Sequence, residues 1–119
     1  MKPDRRADYL QHMADAAAAA LSYVDGMDKA VFLVDRRTQQ AVLHNIMVIG
    51  EAATQLAQAA PDWVASQPQI PWQGLRGMRN RIAHGYFDVN LELVWNTLQL
   101  AMPDLLPKLA AVRARLADE

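Results

Sequence analysis

Residues 35–61 read DRRTQQAVLHNIMVIGEAATQLAQAAP and hold the longest helical pattern in the chain. Asp35 can accept hydrogen bonds from the free N–H groups of a first helical turn, and Pro61 cannot continue a helix. The stretch therefore predicts a helix from Arg36 to about Ala60. Its buried face is predicted from apolar residues that recur three or four positions apart: Val42, Ile46, Ile49, Ala53, Leu56 and Ala60.

Two helices are predicted before this one. The first spans residues 4–24, where apolar and small residues recur at helical spacing, and Asp25-Gly26 ends it. The second is short and spans residues 27–34. Three of its side chains are predicted to face inward: Val31, Phe32 and Val34.

A loop and a fourth helix are predicted after the long one. Prolines recur through residues 61–71, which predicts a loop with one helical turn at Asp62–Ala65. Helical spacing of apolar residues then predicts a helix from Trp72 to His84, and Gly85 ends it.

The last helix is predicted to start near Leu91, where Asn90 can cap it. Pro103 lies inside its apolar pattern and predicts a kink or a break there. No alternation typical of a strand is present. We therefore expect an all-α, up-and-down bundle of about four to five helices, forming a single domain over residues 1–119.

Composition excludes several classes of protein. The chain has 119 residues, of which 52% are hydrophobic, and it contains no cysteine. A disulfide framework and a thiolate metal site are therefore excluded. No apolar run is long enough to span a membrane, and residues 1–6 lack the apolar core of a signal peptide, so we expect a cytoplasmic protein. A net charge of −1 argues against a broadly cationic nucleic-acid binder, so any RNA contact should be local.

Residues 79–86, RNRIAHGY, carry the strongest chemical signal. The pattern R-x4-H-x-Y places a permanently charged guanidinium, a titratable imidazole and a phenol close together. Arg76 and Arg81 make this the densest basic segment of the chain. Such a cluster can bind a phosphodiester and move a proton. No metal or cofactor site is indicated, because His12 and His44 lie on different predicted helices without metal-ligand spacing.

The helical spacing separates the two groups best suited to catalysis. Arg76, Asn80 and His84 share one polar stripe, whereas Arg79 lies at the border of the apolar face. Arg79 and His84 are about 140° apart around a regular helix. Either the helix unwinds before His84, or two copies of the chain meet at a two-fold axis and complete a shared cleft. We favour the second.

Each candidate also has a structural interpretation. Arg79 could bind an anion or simply pair with a carboxylate such as Glu51, and its position alone favours neither. His84 could be an exposed capping residue, and Tyr86 could pack on the bundle or could stack a base or accept a modification. Gly50, in the middle of the long predicted helix, indicates a close approach by another helix.

The chain resembles the HepT-like branch of the HEPN superfamily. The resemblance rests on Ile70-Pro71-Trp72, on the segment from Gly77 to Tyr86, and on Ile49-Gly50-Glu51-Ala52, and it extends over nearly the whole chain. These proteins are small helical toxins encoded beside a minimal nucleotidyltransferase antitoxin of the MntA type. The fold that the resemblance implies is the helical bundle already expected from the periodicity.

The resemblance also implies a function. It implies a metal-independent endoribonuclease that acts as a homodimer, with Arg79 and His84 as the catalytic pair and Asn80 as a supporting residue. It further implies that the partner nucleotidyltransferase silences the toxin by placing AMP on Tyr86. Arg76, Arg81 and Glu51 are candidate supporting or RNA-binding residues. Two alternatives stay open: a non-catalytic module that binds a nucleotide or the nucleotidyltransferase, and a structural dimerisation bundle.

Overall fold

The computed structural model describes residues 3–119, and this part of the chain is helical without any strand. It contains seven α-helices in the following order: α1 Arg6–Tyr23, α2 Lys29–Val34, α3 Arg36–Ala59, α4 Pro61–Ala65, α5 Trp72–His84, α6 Leu91–Gln99 and α7 Ala101–Ala117. A short 3₁₀ turn, Tyr86–Asp88, lies between α5 and α6. The predicted all-α fold is confirmed.

The long helix α3 is the centre of the fold. It packs against both α1 and α5, while α7 packs against α1 and α6. The core is built from the faces that these helices turn towards one another, and its fully buried large side chains are Phe32, Leu10, Met13, Ile49, Leu56, Ile70, Leu98, Leu109, Val42 and Val112. None of the helices within residues 3–119 is long and apolar enough to cross a membrane.

Both ends of α3 lie where the sequence predicts them. The Asp35 side chain accepts a hydrogen bond from the Thr38 backbone N–H at 3.2 Å and another from the Thr38 hydroxyl at 2.8 Å. The backbone N–H contact, helped by the hydroxyl, holds the pKa of Asp35 below its usual value. At the other end α3 stops at Ala59, and Pro61 begins α4, where a missing N–H costs nothing.

The short helix α2 corrects one prediction. Phe32 is buried and packs on Trp95, with 5.4 Å between ring centroids. Val31 and Val34, however, are 47% and 81% exposed, so the prediction that they face inward is wrong. They lie three residues apart and share one face of a six-residue helix, and only the other face contacts α3 and α6.

The last predicted helix is broken in two. α6 ends at Gln99 and α7 begins at Ala101, with Leu100 between them. Pro103 explains this position, because a proline ring clashes with the carbonyl four residues earlier, which here belongs to Gln99. The predicted break near Pro103 is confirmed. This break and the one-turn α4 account for seven helices where about four to five were expected.

Candidate active site

The helix α5 carries most of the R-x4-H-x-Y segment and is fixed near both ends. Trp72 is buried, and its indole N–H donates to the Gln67 carbonyl at 3.0 Å. Ile82 is buried near the other end. The side chains of Asn80 and His84 lie exposed on the polar stripe that the sequence predicts, and Arg76 is half-buried on it. The fold therefore presents these groups on the outer side of a well-anchored helix.

A close crossing of α3 and α5 fixes the position of Arg79. A Cβ atom added at Gly50 would lie 2.2 Å from the Arg79 Cβ and 2.8 Å from the Leu75 carbonyl oxygen. No side chain fits between the two backbones at this point, so the close approach inferred from Gly50 is confirmed. The Arg79 stem is therefore held directly against α3.

The Arg79 guanidinium has two partners. Its Nη2 lies 3.2 Å from the Glu51 Oε2, and its Nη1 donates to the Asn80 Oδ1 at 3.1 Å. Glu51 in turn accepts a hydrogen bond from the Gln55 Nε2 at 2.9 Å. The structure thus brings together four polar side chains from α3 and α5, and the pairing of Arg79 with Glu51 considered from the sequence is present.

The Arg79–Glu51 pair contributes little to stability. The two side chains are 33% and 47% exposed, and ion pairs at such surfaces are worth about 0–1 kcal/mol. Its main effect is on orientation, because it restricts a long side chain to one direction. A guanidinium has five N–H donors, so donors remain available to an anion that approaches from the exposed side.

His84 lies on another side of the same helix. It is the last residue of α5, so the helix does not unwind before it. Its side chain is exposed and lines a cleft of about 420 Å³ with apolar walls that include Ile82, Val89 and Val94. Arg79 lines a different cleft, between α1 and α3. Within one chain the two predicted catalytic groups therefore do not converge on one cleft.

Two arginines of α5 lie on the same side of the helix as His84 or in its cleft. Arg81 lines the same cleft and Arg76 lies two turns earlier on the polar stripe. Within residues 3–119 neither arginine has a carboxylate within salt-bridge distance, whereas Arg79 does. Asp88 is the acidic residue in the lining of this cleft. The two arginines can therefore offer their charge to an anion near His84.

Two aromatic side chains follow the helix. Tyr86 and Phe87 lie in the 3₁₀ turn, with their ring centroids 6.2 Å apart in an edge-to-face arrangement. Tyr86 is 42% exposed and Phe87 is 98% exposed. The Tyr86 phenol is thus accessible to another molecule, as expected for a residue just past the helix end. Sequence reasoning missed Phe87, because an isolated apolar residue in a turn carries no periodic signal.

His12 and His44 are brought to one place. They lie on α1 and α3, and both line the cleft that Arg79 also reaches. Their separation in sequence gave no sign of this. No group of three or more potential ligands in residues 3–119 has a geometry suited to a metal ion.

Comparison with known proteins identifies the family. The family model described as "Ribonuclease HepT-like" matches residues 13–112, which include Glu51 and the segment from Arg76 to Tyr86. This chain belongs to the HepT-like ribonuclease family. The recognition made from the motif is therefore confirmed, and with it the assignment of the chain to a family of ribonucleases.

Two curated relatives match this chain along most of their length. The "Putative RNase MJ0127" of Methanocaldococcus jannaschii is 34% identical over 106 residues, covering 87% of this chain and 82% of that protein. The "Probable ribonuclease HepT" of Thermococcus cleftensis is 31% identical over 106 residues, covering 89% and 94% of the two chains. No solved structure gives a significant match.

Proposed function

We propose that this chain is a metal-independent endoribonuclease and the toxin of a toxin–antitoxin pair. Its membership of the HepT-like ribonuclease family supports RNA as the substrate. The basic segment around Arg79 and His84 supports a local RNA contact on a chain whose net charge is −1. The chemistry of each side chain then suggests its role.

The proposed reaction uses the substrate's own nucleophile. The ribose 2′-hydroxyl attacks the adjacent phosphorus, the bond from phosphorus to the 5′ oxygen breaks, and a 2′,3′-cyclic phosphate and a 5′-hydroxyl result. His84 acts as the general base or acid in this transfer. Arg79 stabilises the charge on the phosphorane-like transition state, and Arg76 or Arg81 holds a flanking phosphate. No metal is required, because the attacking group is already positioned in the RNA.

One observation carries the proposal that two copies form the site. Arg79 and His84 line different clefts, although α5 is a regular helix as far as His84. A two-fold axis near α5 would bring His84 of one copy towards Arg79 of the other. In such an interface the same pair of residues then meets twice, once on each side of the axis. The proposed active form is therefore a homodimer.

The proposed control is AMP transfer to Tyr86 by a nucleotidyltransferase antitoxin of the MntA type. The accessible phenol supports this, since another enzyme could reach it. An attached AMP would place a negative phosphate near Arg76, Arg81 and His84. It would occupy the position that an RNA phosphate needs and would reduce the local positive charge.

A second candidate is favoured by the Arg79–Glu51 pair. If the role of Arg79 is only to pair with Glu51, the chain could bind a nucleotide or the nucleotidyltransferase without cutting RNA.

A cleavage assay separates the ribonuclease from this binding module. Purified protein in the presence of a chelator should cut single-stranded RNA, and His84→Ala should abolish cleavage with unchanged far-UV circular dichroism. Equal cleavage by the variant would reject the proposed mechanism.

A mixing experiment tests the shared site. Arg79→Ala and His84→Ala are each expected to be inactive alone. If each site takes Arg79 from one copy and His84 from the other, one site of every mixed dimer keeps both groups. Random exchange should then restore about a quarter of wild-type activity. A mixture that stays inactive, although mass spectrometry detects mixed dimers, would contradict the shared site.

Intact-mass measurement tests the control at Tyr86. Co-expression with the cognate nucleotidyltransferase should add the mass of AMP to the wild type and not to Tyr86→Phe. The variant should still cut RNA but should escape silencing by the partner. An AMP adduct of equal yield on Tyr86→Phe would assign the modification to another residue.

A further inference from the structure

The α1–α3 cleft is a second potential binding site beside Arg79. Its volume is about 430 Å³, and its lining includes Tyr9 and His12 from α1, His44, Met47 and Val48 from α3, and Arg79 from α5. Met47 and Val48 are half-buried against the core and form an apolar floor. The cleft is therefore an apolar surface with aromatic walls, and it opens onto a guanidinium assigned to the reaction.

The wall on α1 is an ordered row of side chains. The rings of Tyr9 and His12 meet edge to face, with their centroids 6.5 Å apart. The Arg5 guanidinium carbon lies 4.8 Å from the Tyr9 ring centroid, and its Nη1 donates to the Tyr9 hydroxyl at 3.4 Å. Tyr9 and His12 are three residues apart on one face of α1, and Arg5 immediately precedes the helix. These contacts hold the Tyr9 side chain in place, and part of its ring faces the cleft.

The charges at the cleft indicate what it can bind. Arg79 is the arginine in its lining, and it is paired with Glu51 at 3.2 Å. Because this guanidinium has an acidic partner, phosphate attraction alone would not hold a strand here. A flat group with an apolar face and polar edges fits the aromatic walls, the apolar floor and the polar rim. A nucleobase has this character, and stacking on aromatic rings accepts any base.

A second copy of the chain fits the cleft less well. Its rim carries His12, His44, Glu51 and Gln55 around a small apolar floor. The centre of a protein interface is usually depleted of charged residues. A cleft that ends at Arg79 is instead continuous with the position proposed for the cut phosphate, so the neighbouring nucleotide of the same strand lies within reach.

We propose that the α1–α3 cleft is a nucleobase subsite for the RNA, and this inference rests on the proposed ribonuclease function. The base next to the phosphate bound by Arg79 enters between α1 and α3. It stacks on the Tyr9–His12 wall above Met47 and Val48, and His44 closes the opposite side. The subsite positions the strand and takes no part in bond breaking, so Tyr9, His12 and His44 are RNA-binding residues.

Binding of uncut RNA tests this inference. In a His84→Ala background, a fluorescent single-stranded RNA of about 10 nucleotides reports binding by anisotropy. Tyr9→Leu keeps an apolar side chain for packing but removes the aromatic face. It should weaken binding by about 5- to 150-fold, the range for loss of one stacked base. His12→Ala and His44→Ala, at two exposed positions, should also weaken RNA binding.

A series of abasic oligonucleotides makes the test specific. Each nucleotide is replaced in turn by one that lacks its base but keeps its phosphate. Loss of the base at one position should weaken binding to the protein that retains Tyr9. In Tyr9→Leu, loss of the same base should leave binding unchanged. Tyr23→Leu is the matched control, because Tyr23 is an exposed tyrosine about 21 Å further along α1. It should bind RNA as the parent protein does.

The outcomes separate this inference from the proposed function. If RNA is cut by the wild type and bound by His84→Ala, but none of the three cleft variants weakens binding, the subsite is wrong and the ribonuclease stands. If the wild type neither binds nor cuts RNA, both are wrong. If Tyr9→Leu converts a dimer to a monomer in sedimentation while Tyr23→Leu does not, the cleft is covered by a second copy, and the subsite is wrong.

Discussion

The two ends of the R-x4-H-x-Y segment lie in opposite surroundings. At Arg79 the helix crosses α3 so closely that only a glycine fits at position 50, and Glu51 and Asn80 hold the guanidinium. At His84 the helix stops, the imidazole is exposed, and Tyr86 and Phe87 extend into solvent. One end is organised within a single chain, and the other end presents its groups outward.

This difference indicates which part of the site depends on a second molecule. The Arg79 end has its supporting contacts already, so its geometry should be the same in one copy or two. At the other end, the side chains of His84, Tyr86 and Phe87 make no hydrogen bond to another side chain or to the backbone within residues 3–119. Its imidazole, phenol and phenyl groups are available to RNA, to a second copy or to a modifying enzyme. Mutations at the two ends should therefore differ in what they damage.

The largest expected effect is at Arg79. Arg79→Ala should lower the rate of RNA cleavage by about 10²- to 10³-fold, the usual cost of removing one preorganised charge-stabilising group. Arg79→Lys should lower the cleavage rate nearly as much, because an ammonium cannot replace the planar guanidinium on a phosphate. Rates are measured on folded protein. Arg115→Ala is the control, because the Arg115 side chain donates to the Gln67 Oε1 and lines neither the cleft of Arg79 nor that of His84, so this variant should cut at the wild-type rate.

The next largest effect is on stability at the α3–α5 crossing. Gly50→Ala should lower the free energy of unfolding by about 1–2 kcal/mol. An overpacking cost of about 2–3 kcal/mol exceeds the gain of roughly 1 kcal/mol from better helix propensity. Gly77→Ala on α5 is the matched control, because nothing lies within 4 Å of its added Cβ. Urea unfolding should show opposite signs for the two variants, and equal signs would contradict the crossing.

A smaller effect is expected where Glu51 orients Arg79. Glu51→Gln keeps the shape but removes the charge, and it should slow cleavage by about fivefold, in line with a half-exposed ion pair. Asp104→Asn provides the comparison, since Asp104 lies in another exposed pair, 2.7 Å from Lys108 on α7, and neither residue lines the clefts of Arg79 and His84. Faster cleavage by Glu51→Gln would mean that Glu51 competes with the phosphate for Arg79 instead of positioning it.

The smallest effect on folding is expected at the exposed end. Phe87 is 98% exposed, so Phe87→Ser should change the free energy of unfolding by less than about 0.5 kcal/mol. Thermal or urea unfolding at low protein concentration measures this. A loss several times larger would show that Phe87 is buried in the folded species present in solution. A partner copy would then have to cover Phe87, and the two ends would no longer differ in exposure.

The sequence predicts the fold in the places where local chemistry decides it. Asp35 and Pro61 mark the limits of α3, and Gly85 follows the last residue of α5, because caps and helix breakers act within a few residues. Val31 and Val34 were wrongly expected to be buried, since a six-residue helix has too few turns for its pattern to show which face packs. Burial there depends on contacts with α3 and α6.

The candidate site was only partly accessible to the same reasoning. The 140° offset follows from helix geometry, and Gly50 indicated a close crossing, so the neighbourhood of Arg79 could be outlined beforehand. The cleft that His12, His44 and Arg79 share could not be predicted from the sequence, because it depends on how α1 packs on α3. The exposure of Phe87 likewise depends on the path of one turn.

The crossing at Gly50 also has a genetic consequence. If the chain is toxic to the cell that makes it, cells that survive without antitoxin will carry mutations that inactivate it. Replacement of Gly50 by any other residue adds at least one carbon at the point where α3 meets the Arg79 stem. Such escape mutants should therefore recur at codon 50 as well as at codons 79 and 84, even though Gly50 has no side chain to offer to the reaction.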